Sequence, residues 1–314
     1  MKKNMLIQKQ YELNQCALYK LRSKRLLAKL LKTPIKKIDK ILLSSSNYNV
    51  FEINKGTDKA RKIEQPKRSL DAIHERIFYL LKHVKAPDYL YSGVKGISPI
   101  KNAKLHLGND PLIKLDIVKF YPSTTFPHVF SFFKEIMKCD SDVAKILTKL
   151  STYEGHIPTG SRISQIVAFY SHKPMFDELN VLSKKYDLNM SVWVDDIVFS
   201  GKKSSPEVLR KAKKIIRKNG LQSHKEHFYS EGRPKKVTGY IIDKEKICLP
   251  NNKHLDIYKT WGSIDFSESK NLKPIQSLLG KVNAAGQVDP SFKSKGALLK
   301  QLLKSIQRKN RKIA

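Results

Sequence analysis

An α+β fold, an antiparallel sheet with helices packed on one face, is what the sequence predicts, and three stretches carry that expectation. Residues 112–118 alternate Ile113, Leu115 and Ile117 with Lys114 and Asp116, the period of a strand with one apolar face. Residues 190–194 and 197–200 are two short β-rich runs separated by Asp195-Asp196, the pattern of a tight hairpin with acidic turn residues. Helical periods alternate with these runs, giving the order strand, helix, hairpin, helix, strand.

From the start of the chain, residues 4–32 place Leu6, Tyr11, Leu13, Ala17, Leu18, Leu21, Leu26, Leu27, Leu30 and Leu31 at helical spacing among Lys and Arg. Thr33-Pro34 ends that pattern. A polar loop over 44–49 leads into Phe51 and Ile53 alternating with Glu52 and Asn54, a turn at Lys55-Gly56-Thr57-Asp58, and Ala60-Arg61-Lys62-Ile63 before Pro66, which together predict a hairpin. Leu70, Ile73, Ile77, Leu80 and Leu81 then recur three or four apart, with Ser69 as the expected N-cap of a helix. The strand at 112–118 ends in Phe120-Tyr121-Pro122-Ser123, and residues 126–150 are helical in period. After the acidic hairpin, residues 206–219 read as a helix closed by Gly220.

A chain of 314 residues with 40% hydrophobic content can bury a real core, and its length suggests two or three subdomains. Lys and Arg number 61 against 28 acids, a formal charge of +33, which makes nucleic acid the leading partner. Both ends are enriched: residues 1–40 hold 12 basic residues against 2 acids, and residues 246–314 hold 14 against 4, a net 14 − 4 = +10. Composition alone favours a ribosome-bound or simple RNA-coating protein over any enzyme, so the chemistry has to come from the motifs. Cys16, Cys139 and Cys248 are far apart and in no metal-ligand spacing, which predicts neither a disulfide framework nor a zinc site and suits a reducing cytoplasm. No apolar run is long enough to span a bilayer and the Lys-rich start lacks the apolar segment of a secretory signal, so no membrane association is expected.

Asp116, Asp195 and Asp196 are the candidate catalytic residues. Carboxylates converging from neighbouring strands suit Mg2+, which prefers oxygen ligands and keeps waters and substrate phosphates in its shell. Two such ions serve nucleotidyl transfer, one activating the attacking hydroxyl and the other neutralising charge on the leaving pyrophosphate. An isolated Asp-Asp is also an ordinary turn, so its setting has to raise its weight. Between the acids lies Ile157-Pro158-Thr159-Gly160-Ser161-Arg162-Ile163-Ser164-Gln165, whose small residues allow close approach of a base pair or of backbone.

These three segments, in this order, resemble the palm motifs of reverse transcriptases, over roughly residues 45–245. Asn102-Ala103-Lys104-Leu105-His106 before the first acid and Val237-Thr238-Gly239 after the hairpin resemble the Asn-Ala-x-x-His and Val-Thr-Gly signatures of retron reverse transcriptases. The resemblance implies a right-hand polymerase fold: an N-terminal basic helical segment at 1–40, fingers at 41–110, a palm at 111–245 and a helical, RNA-binding thumb at 246–314. Leu298, Leu299, Leu302 and Leu303 among Lys295, Lys300 and Lys304 fit basic thumb helices. By resemblance Arg61 contacts the incoming triphosphate, Tyr121 screens against a ribose 2′-hydroxyl, Thr159 and Gly160 belong to the nucleotide site, and Lys225 protonates pyrophosphate. Asn102, His106, Val237, Thr238 and Gly239 would mark the RNA-recognising part. The chain departs from the family where Trp193-Val194 precede the acids and where Thr159, Arg162 and Gln165 stand, which makes its nucleotide-facing surface unusual.

The function so implied is that of a bacterial, cytoplasmic RNA-directed DNA polymerase. It would use dNTPs and a structured noncoding RNA as template and 2′-hydroxyl primer, carry the RNA–DNA hybrid that results, leave branched RNA–DNA (msDNA), and act with an effector protein in antiphage defence. A reverse transcriptase of the group II intron, diversity-generating or abortive-infection type, and a nonenzymatic RNA-binding protein on a polymerase fold, are the alternatives.

Overall fold

A computed structural model describes residues 10–53, 60–266 and 272–313. The first elements are α1 (Lys24–Leu30), α2 (Ile35–Leu43), β1 (Tyr48–Ile53), β2 (Arg61–Pro66), α3 (Arg68–Leu81) and α4 (Pro99–Leu105). Next come β3 (Leu112–Ile117), α5 (Phe120–Ser123), α6 (Phe126–Ser131), α7 (Ser141–Ser151), α8 (Ser164–Ser171) and α9 (Lys173–Lys185). The strands β4 (Asn189–Trp193) and β5 (Asp196–Ser200) are followed by α10 (Pro206–Lys218), β6 (Ser223–Tyr229), β7 (Lys235–Val237), β8 (Tyr240–Asp243) and β9 (Lys246–Cys248). Three helices complete the chain, α11 (Asn251–Gly262), α12 (Leu272–Ala285) and α13 (Phe292–Ile313). The fold is thus mixed helix and sheet, as the hydrophobic periods predict.

The chain forms two compact units, one of Met1–Ile97, Ile113–Phe199 and Lys203–Phe228, the other of Ser98–Leu112, Ser200–Lys202 and Tyr229–Ala314. In the first unit β1 and β2 make an antiparallel hairpin. The four-stranded sheet has the order β4-β5-β3-β6. Ile117 N–H donates to Asp195 O (3.0 Å) and Gly201 N–H to Pro111 O (3.3 Å), so β3 and β5 run antiparallel. Strand alternation sends Ile113, Leu115 and Ile117 of β3 and Ile197 and Phe199 of β5 into a core shared with Phe176 and Leu179 of α9 and Val208, Ala212 and Ile216 of α10. Lys114 and Asp116 therefore stand on the opposite face of β3, which is only partly buried. In the second unit β7, β8 and β9 form a three-stranded antiparallel sheet. Among the described residues no helix is long and apolar enough to cross a membrane.

Local structure departs from the sequence periods where backbone donors find long-range partners. Among the described residues of the helical period over 4–32, an α-helix forms only at α1; Leu6 lies outside them. Upstream, Tyr11 N–H donates to His83 O (3.0 Å) and Lys20, at φ 52°, donates to Met137 O (2.7 Å), so those amides are not available to a helix. Residues 126–150 are broken by a π-turn at Phe132–Ile136 and by Lys138 at φ 55°, which lets Asp140 N–H reach Leu21 O (3.1 Å). The helix expected from Ser69 begins at Arg68, with Lys67 as its N-cap. α10 begins at the Pro206 where the sequence starts it, and Gly220 leaves the helix at φ 75°; the structure adds Ser205 as N-cap, its Oγ accepting from Val208 N–H. The turn expected at Lys55-Gly56-Thr57-Asp58 lies outside the described residues.

Candidate active site

The acidic site is built at the end of β3 and the turn between β4 and β5. Sequence reading puts Asp195-Asp196 in the turn; the structure puts Val194 and Asp195 there, and Asp196 opens β5. Val194 takes φ 60°, rare for a β-branched residue, and its N–H donates to Ser92 Oγ (2.9 Å). Ile117 N–H holds the carbonyl of Asp195 beside β3. The two acids of the turn region consequently have different surroundings.

Asp195 is driven toward its neutral form, first by burial and then by the charge of Asp116, with Asp196 adding to it. Asp116 has two partners: His224 Nε2 is hydrogen-bonded to Oδ1, and the ammonium of Lys225 lies 3.5 Å from Oδ2. Asp196 is held by Lys114, whose Nζ stands 3.0 Å from Oδ1 and 3.2 Å from Oδ2. That pair is four-fifths buried, so Lys114 is a committed partner for Asp196. Asp195 thus feels Asp116 more strongly than Asp196, which has an ion-pair partner in Lys114.

Tyr121 stands on α5, which leaves β3 through Lys119 at φ 45°. Burial pushes its phenol up to about 12, Asp195 pushes in the same direction, and Arg61 opposes them. Arg61, Tyr121 and Asp195 therefore share one electrostatic neighbourhood, although they come from three separate elements. Among the described residues no group of three or more His, Cys, Asp and Glu is gathered to hold a metal. The donor chemistry nevertheless fits a hard divalent cation: two repelling carboxylates offering only oxygen, one of them, Asp195, pushed toward its neutral form by burial and by the charge of Asp116.

Thr159 and Gly160 both lie against β2. Thr159 Oγ1 donates to Lys62 O (2.8 Å) and its N–H to Glu64 Oε2 (3.2 Å), which straps the loop to β2. A Cβ on Gly160 would sit 2.8 Å from Glu64 O, so the close approach this glycine permits is to the β2 backbone. Glu64 is 2% exposed and also meets His156 Nε2 at 3.2 Å and Lys62 Nζ at 3.2 Å. Arg162 likewise turns to α3, where it forks onto Asp71 (2.6 and 2.9 Å) and reaches Glu75 (3.2 Å).

The two short signatures meet in the second unit. Ser98 caps α4, Asn102 is fully buried, and His106 Nδ1 lies 2.7 Å from Ser200 Oγ. Burial, followed by Lys235, holds the His106 imidazole down at about 3. Thr238 and Gly239 are the two-residue turn between β7 and β8, at φ 42° and 79°. Thr238 Oγ1 donates to Pro99 O (2.8 Å), which ties this turn to the start of α4, and Val237 is buried beneath it. Asn102 and His106 therefore build the interior of this unit and do not present a surface.

Sequence reasoning missed Ser92, Lys114, Glu64 and His224. Lys114 could have been found from its place two residues before Asp116 on one strand face. Ser92, Glu64 and His224 act through contacts spanning 102, 95 and 108 positions, which no local pattern announces.

No family model matches the chain. Among curated proteins it is similar to the retron Se72 reverse transcriptase of Salmonella heidelberg (strain 579083-10), 34% identical over 189 residues, covering 58% of this chain and 49% of that protein. The retron Ec86 reverse transcriptase of Escherichia coli is 24% identical over 248 residues, 76% of this chain and 77% of the relative. The retron Ec83 reverse transcriptase of Escherichia coli is 26% identical over 279 residues, 80% and 87%. The chain spans about half the length of the first of these relatives.

Proposed function

From a chain that is a sequence relative of the retron-type reverse transcriptases, we propose an RNA-directed DNA polymerase whose centre is Asp116 and Asp195. The observation that supports it most is the convergence of these two carboxylates with Tyr121 and Arg61 in one electrostatic neighbourhood. On this reading β1 and β2 belong to fingers, the four-stranded sheet to a palm, and α11, α12 and α13 to a thumb.

Two Mg2+ ions, when held by Asp116 and Asp195, would supply the activated hydroxyl and the charge neutralisation that nucleotidyl transfer needs. The chain's own residues do the rest. Arg61 meets the triphosphate, for which a guanidinium fork is suited. The ring of Tyr121 fills the space a ribose 2′-hydroxyl would take, favouring dNTPs. Lys225, beside Asp116, donates a proton toward leaving pyrophosphate, and His224 keeps Asp116 compensated between turnovers. Lys114 holds Asp196 in place as a structural neighbour of the two ligands. A structured noncoding RNA would serve as template and, through a 2′-hydroxyl, as primer, with branched msDNA as product and an effector protein as partner in antiphage defence.

Magnesium-dependent cDNA synthesis by purified protein on an RNA template with a DNA primer tests the centre. Asp195→Asn and Asp116→Asn each lower the rate by about a thousandfold or more, on the order of 4 kcal/mol of barrier, whereas Asp196→Asn costs less. Full activity in Asp195→Asn would sink the mechanism. Sequencing the nucleic acid that copurifies with the chain tests the retron reading, and RNA without any branched DNA would count against it.

A further inference from the structure

The residues after α3 lead to a position that the acidic centre depends on. Tyr89 is buried, and its hydroxyl donates to Asp177 Oδ1 (2.6 Å). Leu90 then pairs with Val192 in a parallel bridge along the free edge of β4: Val192 N–H donates to Tyr89 O (2.8 Å) and Tyr91 N–H to Val192 O (3.0 Å). Two residues later on each side, Ser92 meets Val194. Immediately beyond, Gly93 turns the chain at φ 70°, where a Cβ would stand 2.7 Å from Gln165 Nε2. The path of this segment is fixed before and after Ser92.

Val194 needs such a neighbour. It occupies the left-handed region at φ 60°, which the branched Cβ disfavours, and it is the residue that turns β4 back so that Asp195 faces Asp116. Left alone, the turn would relax toward conformations that Val tolerates and carry the Asp195 carboxylate with it. Ser92 is 3% exposed, and its Oγ accepts the Val194 N–H at 2.9 Å, a donor that would otherwise be left without a protein partner on the inner side of the turn.

We propose that Ser92 is a positioning residue for nucleotidyl transfer: its hydroxyl locks the strained Val194 turn and thereby fixes Asp195 opposite Asp116. The inference rests on the polymerase reading for its kinetic consequence, but its structural content stands apart from that reading. Ser92 touches no reacting atom and acts only through the backbone of Val194.

The experiment compares wild type, Ser92→Ala, Ser92→Thr, Val194→Gly and the double variant Ser92→Ala/Val194→Gly in single-turnover dNTP incorporation on a DNA-primed RNA template. In the same proteins, backbone hydrogen exchange is followed over the peptide covering residues 190–197. Ser92→Ala is expected to lower the incorporation rate about tenfold, the loss of one hydrogen bond's free energy at the transition state, with KM for dNTP within about twofold and the melting temperature retained. Ser92→Thr, which keeps the hydroxyl, restores most of the rate. In the Val194→Gly background, removing the Ser92 hydroxyl costs less than about twofold, because glycine accepts positive φ without help. The 190–197 peptide exchanges faster in Ser92→Ala than in wild type.

An unchanged rate in Ser92→Ala overturns the proposal, as does an equal loss with Val194 or Gly at position 194. Exchange at 190–197 that is indifferent to Ser92 overturns it even if the chain makes no DNA. Failure of wild type to incorporate dNTP, with exchange still dependent on Ser92, would reject the polymerase reading and leave the turn lock supported.

Discussion

At the scale of single residues, three histidines are interior parts whose charge state carries stability. His74 is buried, with Nε2 2.6 Å from Leu150 O and Nδ1 2.7 Å from Ser161 Oγ. A carbonyl only accepts, so Nε2 carries the proton, and in the neutral ring that burial favours Nδ1 accepts from the serine hydroxyl. Burial accordingly holds His74 down at about 4 from its ordinary 6.5, and pushes His172 and His106 down to about 3. Above pH 6.5 neither folded nor unfolded chain binds the His74 proton; as pH falls below it the unfolded chain does and the folded chain does not until about 4. Stability is therefore full above that window and falls through it, by about 1.4 kcal/mol per pH unit per such group. Urea unfolding at a series of pH values should show this decline, and His74→Gln should flatten part of it. Parallel slopes for the two proteins would show that His74 is not among the groups responsible.

Secondary-structure elements were legible in proportion to how local their causes are. The alternation of Ile113, Leu115 and Ile117 is a property of six residues, and β3 forms where it predicts. Ser205, Pro206 and Gly220 are likewise local signals, and α10 begins and ends at them. The helical period of residues 4–32 failed because Tyr11 and Lys20 give their amides to His83 and Met137, partners that no window around them contains. Asp116 and Asp195 stand where two short motifs put them, on β3 and in the turn between β4 and β5, whereas the ion pair of Asp196 with Lys114 across the sheet is in neither motif. Gly160 reads from the sequence as making room for a base pair or for backbone, and the backbone of β2 is what comes close. That placement predicts the effect of Gly160→Ala: the new methyl must move carbonyl and backbone atoms of Glu64, costing about 1–3 kcal/mol. The displaced hairpin carries Arg61, so the KM for dNTP should rise by more than kcat falls. A melting temperature and KM equal to those of wild type would show that β2 yields freely.

For the whole molecule, a formal charge of +33 sets the terms on which any polyanion is held. Binding of RNA should weaken steeply with salt, by about a hundredfold or more between roughly 50 and 200 mM, as expected when six or more phosphates are neutralised. Fluorescence anisotropy against a salt series reads the slope directly, and a slope worth fewer than about three phosphates would mean that most of this charge never meets the RNA. The strand order β4-β5-β3-β6 has a different consequence, one that concerns synthesis. β3 leaves the ribosome with neither of its neighbours yet made, and His224, the hydrogen-bond partner of Asp116, follows it by 108 positions. Its apolar Ile113, Leu115 and Ile117 must wait through that interval beside helices alone, because long-range pairing cannot begin until β5 and β6 emerge. The acidic centre is thereby assembled only after β6 has emerged, and a nascent chain stopped short of β6 would hold both acids without the strand that brings the partners of Asp116.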